Sequence, residues 1–378
     1  MCVHLQPDYW RIKKAIMTRI FHTLFLFIFC FSFTALASSN NKIENSKEDN
    51  FDVNGVIMHH VKDSHDFHIL DWNGHPVSVP LPIILWTNEG LVVFMSSEFH
   101  HDDSGEIVVK RKNQAFVKFH EEIYYAKNDK EGKHIQLDSS KHPINHKPLD
   151  LSITKLVFSM FVSIIIIFVI FRLSAKSYNR SKKGEPSGLG KFTEPIIVFI
   201  KDEVALPLIG EEKHEKYVPF LLTLFFFIWI NNLMGMIPFF PFSANLSGNI
   251  AFTGVLALIT FVITTFVGNK HYWKHIFWMP GIPVPMKLFM APLEFIGIFV
   301  KPLTLMIRLF ANITAGHIIV LSLISLIFIF KSIWVAPVSL IFSVFISVIE
   351  VLVIAIQAYI FTMLSALYIG SAMEEHEH

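Results

Sequence analysis

The segment Leu303-Thr304-Leu305-Met306-Ile307-Arg308-Leu309-Phe310-Ala311-Asn312-Ile313-Thr314-Ala315-Gly316-His317 sets a guanidinium in the middle of an apolar run of membrane grade. Arginine does not lose its proton in a protein, and a charge at bilayer depth costs at least about 2.5–3.5 kcal/mol. A purely structural ion pair is a poor reason to keep it, because apolar packing replaces such a pair at lower cost. Arg308 therefore reads as a functional cation that repels cations or holds an anion. Glu294, Lys301 and Arg308 stand seven residues apart, so on a helix they return to nearly one face, drifting about 20° per step. Asn312 lies one turn beyond Arg308 on that side. His317 is nine residues beyond Arg308, which is about 13.5 Å further along the axis and near the opposite face. Glu350 and Gln357 repeat the spacing of seven downstream. Glu294 and Lys301 also suit an interfacial pair with snorkelling stems, and Asn312 and Gln357 also suit interhelical hydrogen bonding.

Long helices are needed to position these groups. Apolar residues run from about 291 to 330 and from about 333 to 370, separated only by Lys331-Ser332. About 40 residues per helix gives roughly 60 Å, twice a bilayer core of about 30 Å. The predicted hairpin must therefore tilt strongly or break, and Pro302 and Pro337 are candidate bends. Folding about the link puts His317, 14 residues before Lys331, at a depth similar to Glu350, 18 after Ser332. Arg308 and Gln357 lie deeper. An imidazole facing a carboxylate exchanges protons near neutral pH.

The rest of the chain is consistent with a membrane protein. Of 378 residues, 52% are hydrophobic and 38 are Phe, so the predicted class is an all-α integral membrane protein with five spanning helices. The first three spans are expected at about 151–172, 217–237 and 250–268, and the charged stretch near 190–216 is expected to form an amphipathic segment. Arg172, Lys176, Arg180, Lys182 and Lys183 crowd the far end of the first span, and Lys270, Lys274 and Lys287 follow the third. Positive charge marks the cytoplasmic side, which also places the C-terminal Glu374-Glu375-His376-Glu377-His378 inside. Arg11, Lys13, Lys14 and Arg19, the apolar stretch Ile20 to Phe33 and Ala35-Leu36-Ala37 make residues 1–37 read as a secretory signal peptide. Both cysteines, Cys2 and Cys30, fall within it, so no disulfide or thiolate site is expected in the mature chain.

Residues 38–150 read as a polar lead and then a small β-rich extracytoplasmic domain. Val56-Ile57-Met58, Ile83-Ile84-Leu85-Trp86 and Leu91-Val92-Val93-Phe94-Met95 are separated by turn signals at Asn73-Gly74, Asn88-Glu89-Gly90 and Asp103-Ser104-Gly105. Eleven of the 19 histidines fall between 51 and 148. They lack a recognisable zinc-ligand spacing and are expected to be surface residues. No metal or cofactor is expected.

The motif from Glu294-Phe295-Ile296-Gly297 through Lys301-Pro302 to Arg308-Leu309-Phe310-Ala311-Asn312-Ile313-Thr314-Ala315-Gly316-His317 resembles the signature of the subunit a family of rotary F-type ATP synthases. Asn231-Asn232-Leu233-Met234-Gly235-Met236-Ile237-Pro238, Ser243-Ala244-Asn245-Leu246 and Ile356-Gln357-Ala358-Tyr359-Ile360-Phe361 resemble further family segments, in the family's order, over about residues 186–373. The resemblance implies an ion-translocating stator with two offset half-channels beside a ring of c subunits. Arg308 would face the ring carboxylate, His317 and Glu350 would serve the outer half-channel, and Asn232, Asn312 and Gln357 would line it. Glu294 would serve the inner half-channel. Many members carry an acid at the position of His317 and a histidine at that of Glu350, so the pair looks exchanged. Gly297 and Gly235 stand where some members have a serine and an aspartate. The implied setting is a bacterial inner membrane, with protons as the ion. The implied partners are the c-ring, the subunit b stalk, the catalytic head and lipid. Nucleic acid is not among them. The chain has no G-x-x-x-x-G-K-[ST] loop for nucleotide chemistry and is not expected to be an enzyme alone. A secondary transporter, or a receptor sensing through the outer domain, is the rival reading. A transporter would need paired halves with interrupted helices, and a receptor would need a cytoplasmic output domain.

Overall fold

The computed structural model describes residues 63–72, 75–127, 134–139, 142–180, 186–237, 241–242, 244–279, 283–330 and 334–374. The expected signal segment, the polar lead, Val56-Ile57-Met58, the Asn73-Gly74 turn and the Lys331-Ser332 link lie outside these residues. The chain divides into two compact units, one mostly β with the start of the first long helix, the other helical.

In the β-rich unit, β1 (Asp66–Trp72) and β2 (His75–Pro80) form an antiparallel hairpin. β3 (Pro82–Thr87) is flanked by β4 (Gly90–Met95) and by β8 (Leu149–Asp150). β5 (Val109–Arg111), β6 (Gln114–Phe119) and β7 (Glu122–Tyr125) form a meander. The expected Asn88-Glu89 turn joins β3 to β4. Gly90 follows at φ 95°, a left-handed conformation that suits glycine because it has no Cβ to clash. Ile83, Leu85, Val92, Phe94, Phe99, Val109, Phe116 and Ile123 form one buried core. Pairing along β3 continues past β8, since the Leu151 and Ile153 amides donate to the Ile84 and Pro82 carbonyls at 2.8 and 3.1 Å.

The first long helix, α1 (Lys155–Arg180), starts against this unit. The Leu156 amide donates to Asp63 Oδ1 at 3.1 Å, and Phe158 meets Phe67 edge-to-face at 5.6 Å. Beside this junction the expectation that the histidines are surface residues fails. His65 is 4% exposed, with Nε2 3.0 Å from Asp150 Oδ2. The sequence looked polar there because the carboxylate that makes burial tolerable is 85 residues away.

The helical unit contains α2 (Leu189–Phe199), which continues through a π-helical turn, Ile200–Ala205, into α3 (Leu206–Ile209). The wide turn ends just before Pro207, whose ring crowds the preceding turn. This is the expected amphipathic segment, formed as a helix that packs on the last long helix. It is followed by α4 (His214–Gly235), α5 (Ile250–Val267), the short α6 (Lys270–Phe277), α7 (Val284–Phe330) and α8 (Val335–Met373). Ring contacts tie α4 to its neighbours: Phe171 to Phe226, Phe192 to Trp229 and Phe227 to Phe252. At Gly370 the α8 backbone comes so close to the Leu208 carbonyl of α3 that any Cβ would clash.

Among the described residues five helices, α1, α4, α5, α7 and α8, are long and apolar enough to cross a membrane. The α7 helix does not break: it is continuous over 47 residues with Pro292 and Pro302 inside it, about 70 Å long, because each proline removes only one donor and packed membrane helices absorb that loss. Pro337 sits in the first turn of α8, where backbone amides have no intrahelical acceptor and a proline costs no hydrogen bond.

The His65–Asp150 pair has a pH signature. Burial alone would depress His65, yet the hydrogen bond and charge of Asp150, with Glu121 and Asp63 nearby, hold it above the ordinary imidazole value. Burial would raise Asp150, but its bonds to His65 and Ser152 hold it below the ordinary carboxylate value. Because the folded histidine is raised and the aspartate lowered, the pair contributes fully between the ordinary values of about 3.9 and 6.5. Its contribution is lost as pH rises through the elevated His65 value or falls through the lowered Asp150 value. The melting temperature of the β-rich region should exceed that of His65→Gln most between about pH 4 and 6.5, with the gap closing on both sides. A gap unchanged up to pH 9 would show that the charge pair contributes nothing.

Candidate functional site

Helices α7 and α8 lie side by side, and polar groups gather along their seam. Ser339, Ser343, Glu350, Ile354, Gln357 and Phe361 are all buried, and their spacings of four, seven, four, three and four keep them on one helical face. The opposite face of α8 exposes Ile341, Val344, Phe345, Val348 and Leu352. Leu305, Leu309 and Ile313 are the buried positions of α7 around Arg308. Arg308 and His317 fall on opposite flanks of that stripe, as a separation of nine residues requires.

His317 Nδ1 lies 3.5 Å from Glu350 Oε1, with the side chains 18% and 5% exposed. That is ion-pair distance without hydrogen-bond geometry. Such closeness depends on Gly316, because a Cβ there would stand 2.8 Å from Glu350 Oε1 and 2.9 Å from its carboxyl carbon. One turn deeper, Asn312 Nδ2 donates to Gln357 Oε1 at 2.8 Å. This leaves the buried Gln357 Nε2 without a hydrogen-bond partner among the described residues. Sequence depth had grouped Gln357 with Arg308, whereas its partner is Asn312.

Arg308 is half-buried and makes no ion pair or hydrogen bond among the described residues. Tyr368 of α8 lies near enough to feel its charge, and Lys301 Nζ stands 5.5 Å from the centre of the Tyr368 ring. The Glu294, Lys301 and Arg308 stripe is thus a line of charge along one flank of α7. Glu294, at its far end, acts electrostatically on Tyr272 of α6. Asn232 is buried on α4, and neither of its side-chain polar atoms has a hydrogen-bond partner among the described residues. The structure therefore joins His317 to Glu350 and Asn312 to Gln357, and leaves Arg308, Asn232 and Glu294 outside either pair.

The family model described as ATP synthase A chain matches residues 157–370, more than half of the chain and all of this seam. The chain belongs to the ATP synthase A chain family. Proteins named ATP synthase subunit a are among its relatives. That of Chloroherpeton thalassium is 42% identical over 235 residues, covering 61% of this chain and 69% of the relative. That of Chlorobium phaeobacteroides is 44% identical over 236 residues, covering 61% and 67%. That of an Anaeromyxobacter species is 39% identical over 245 residues, covering 62% and 58%. Residues 56–151 match a separate model described as Domain of unknown function (DUF8433).

In this ATP synthase A chain member, sequence reasoning passed over several residues of the seam. Gly316 lies in the motif, and its lack of a side chain is the space that admits Glu350. Ser339 and Ser343 share the Glu350 face, a periodicity visible in the sequence, but serine is common enough in membrane helices to draw no notice. Ser325 of α7 is buried as well. Gly316→Ala is expected to destabilise the detergent-solubilised protein by about 1–3 kcal/mol, as overpacking does. Adding Glu350→Asp, one methylene shorter, should recover part of the loss. Equal melting of Gly316→Ala and the parent protein would show that Glu350 has room to move.

Proposed function

We propose that this chain is the ion-conducting stator subunit of a bacterial F-type ATP synthase, passing protons to and from a ring of c subunits and so coupling their flow to rotation and ATP synthesis. The observation that carries the reading is Arg308, a permanent cation in a membrane-grade helix with no carboxylate partner among the described residues. The family's ring carboxylate is the anion that would compensate it. Family membership and the relatives' names favour this over the transporter or receptor reading.

In this proposal residues 1–37 are a removed signal peptide, 38–150 an outer domain in the periplasm and 151–378 the membrane domain with five spans. The C-terminus is cytoplasmic, and the chain sits in the inner membrane with the c-ring, subunit b and the catalytic head. Protons from outside reach Glu350 and His317, which serve as one acid–imidazole relay. Asn312 and Gln357 hold the next level of the path, Asn232 adds polar lining, and the ring carboxylate receives the proton near Arg308. The guanidinium holds that carboxylate ionised as it passes and keeps protons from crossing directly between the half-channels. Release toward the cytoplasm runs past Glu294. The outer domain serves assembly or stator contact and takes no part in proton transfer.

Arg308→Ala is expected to abolish proton-driven ATP synthesis by the assembled complex in reconstituted vesicles. Arg308→Lys should also be severely impaired, because an ammonium loses its proton more readily and lacks the planar fork. Normal synthesis with Arg308→Ala would overturn the proposal.

The relay is tested separately. Each of His317→Glu and Glu350→His leaves two like groups facing each other and should slow proton-driven synthesis, while the double exchange should retain more activity than either single change. Strictly additive losses across this cycle would mean that the two side chains act independently.

A further inference from the structure

The sheet centred on β3 is apolar on both faces, and only one of them is core. Register pairs Trp86 with Leu91 and Ile84 with Val93. This sets Ile84, Trp86, Leu91, Val93 and Met95 on the face turned away from Ile83, Leu85, Val92 and Phe94. Trp86 is 56% and Val93 55% exposed, and Leu91, Met95 and Leu151 are exposed too. Hydrogen bonding of Leu151 and Ile153 to β3 extends this face onto the strand after β8, and no charged residue occupies any of its positions. Contiguous apolar surface of this kind marks an interaction site.

We propose that this face docks on the lipid bilayer beside the emergence of α1. The strand that carries Leu151 runs without a loop into α1 at Lys155, and four residues reach at most about 14 Å, so the sheet stays close to the start of α1. Leu151 before α1 and Phe161 within it are exposed apolar side chains of the same unit, with Ile153 and Val157 half-buried between them, so apolar surface leads from the face toward α1. Trp86 is the side-chain type enriched at the membrane–water boundary. Lys112 Nζ donates to the Glu89 and Leu91 carbonyls at 3.3 and 3.0 Å. Those two bonds cover the open β4 edge against strand addition, so the face is left to a partner that does not pair as a strand. The proposal goes beyond the ion-path reading and needs only that α1 crosses the bilayer.

The test uses the full-length chain in its assembled complex, with Cys2→Ser and Cys30→Ser, reconstituted into phosphatidylethanolamine–phosphatidylglycerol vesicles. A nitroxide is attached at Val93→Cys, at Met95→Cys, or at Lys110→Cys as a control on an exposed position of β5. Collision with oxygen, which concentrates in lipid, is compared with collision with a water-soluble nickel chelate. The expected result is an oxygen-to-nickel ratio at both sheet positions several-fold above that at the control. A ratio equal to the control would place the face in water and overturn the proposal. Exclusion of both reagents at both positions would mean that protein covers the face, and would overturn it equally.

Discussion

Hydrocarbon offers no hydrogen bonds, and that constraint organises the membrane half of this molecule. A polar side chain there must meet another polar side chain, a backbone group or a partner from a different chain, or carry the full cost of desolvation. The seam between α7 and α8 is where these solutions concentrate. Asn312 meets Gln357, Glu350 meets His317, and Ser347 returns its hydroxyl to the Ser343 carbonyl. Among the described residues Arg308 makes no ion pair or hydrogen bond, as Asn232 makes no side-chain hydrogen bond, and Arg308 stands on the flank of α7 that carries Lys301 and Glu294. A charge left over in that way has a use only if something charged comes past it.

Close packing then decides which polar contacts form. Glu350 enters the seam because Gly316 leaves the room of a side chain. A carboxylate so enclosed has few microstates, and its 3.5 Å approach to the imidazole is a consequence of backbone shape as much as of charge. The same logic holds at Gly370, where α8 and α3 touch through their backbones. Positions that look passive in the motif are therefore the ones that set the distances between the reactive groups.

Much of this was legible because helices have a fixed period. Spacings of seven put Glu294, Lys301 and Arg308 on one flank and Glu350 and Gln357 on one face, and counting from the link matched His317 to Glu350 in depth. What counting could not supply is rotation of one helix about its axis relative to the other. Depth alone therefore grouped Gln357 with Arg308, while the side chain turns to Asn312. Helix ends were less legible still. The fourth span was expected from about 291, yet α7 begins at Val284 and Lys270–Phe277 is helical before it, because backbone bonding within a helix does not depend on an apolar sequence. His65 was misjudged for a related reason: its neighbours in sequence are polar, and Asp150, which makes its burial affordable, is brought in only by the fold.

The sheet centred on β3 carries a signal of a different kind. A strand with one face in water alternates apolar and polar residues, whereas one covered on both faces reads as an unbroken apolar run. Ile83-Ile84-Leu85-Trp86 and Leu91-Val92-Val93-Phe94-Met95 are unbroken, so the sequence demands two covers. The fold supplies one of them, through Phe99, Phe116 and Ile123. Among the described residues that second face stays exposed, and the proposed cover is the bilayer beside α1, a helix long and apolar enough to cross it. On this argument the β-rich region is held at the membrane twice, by its covalent tie to the helix and by the face of its own sheet. Two such attachments fix the orientation of a small domain where a single tether would leave it free to swing.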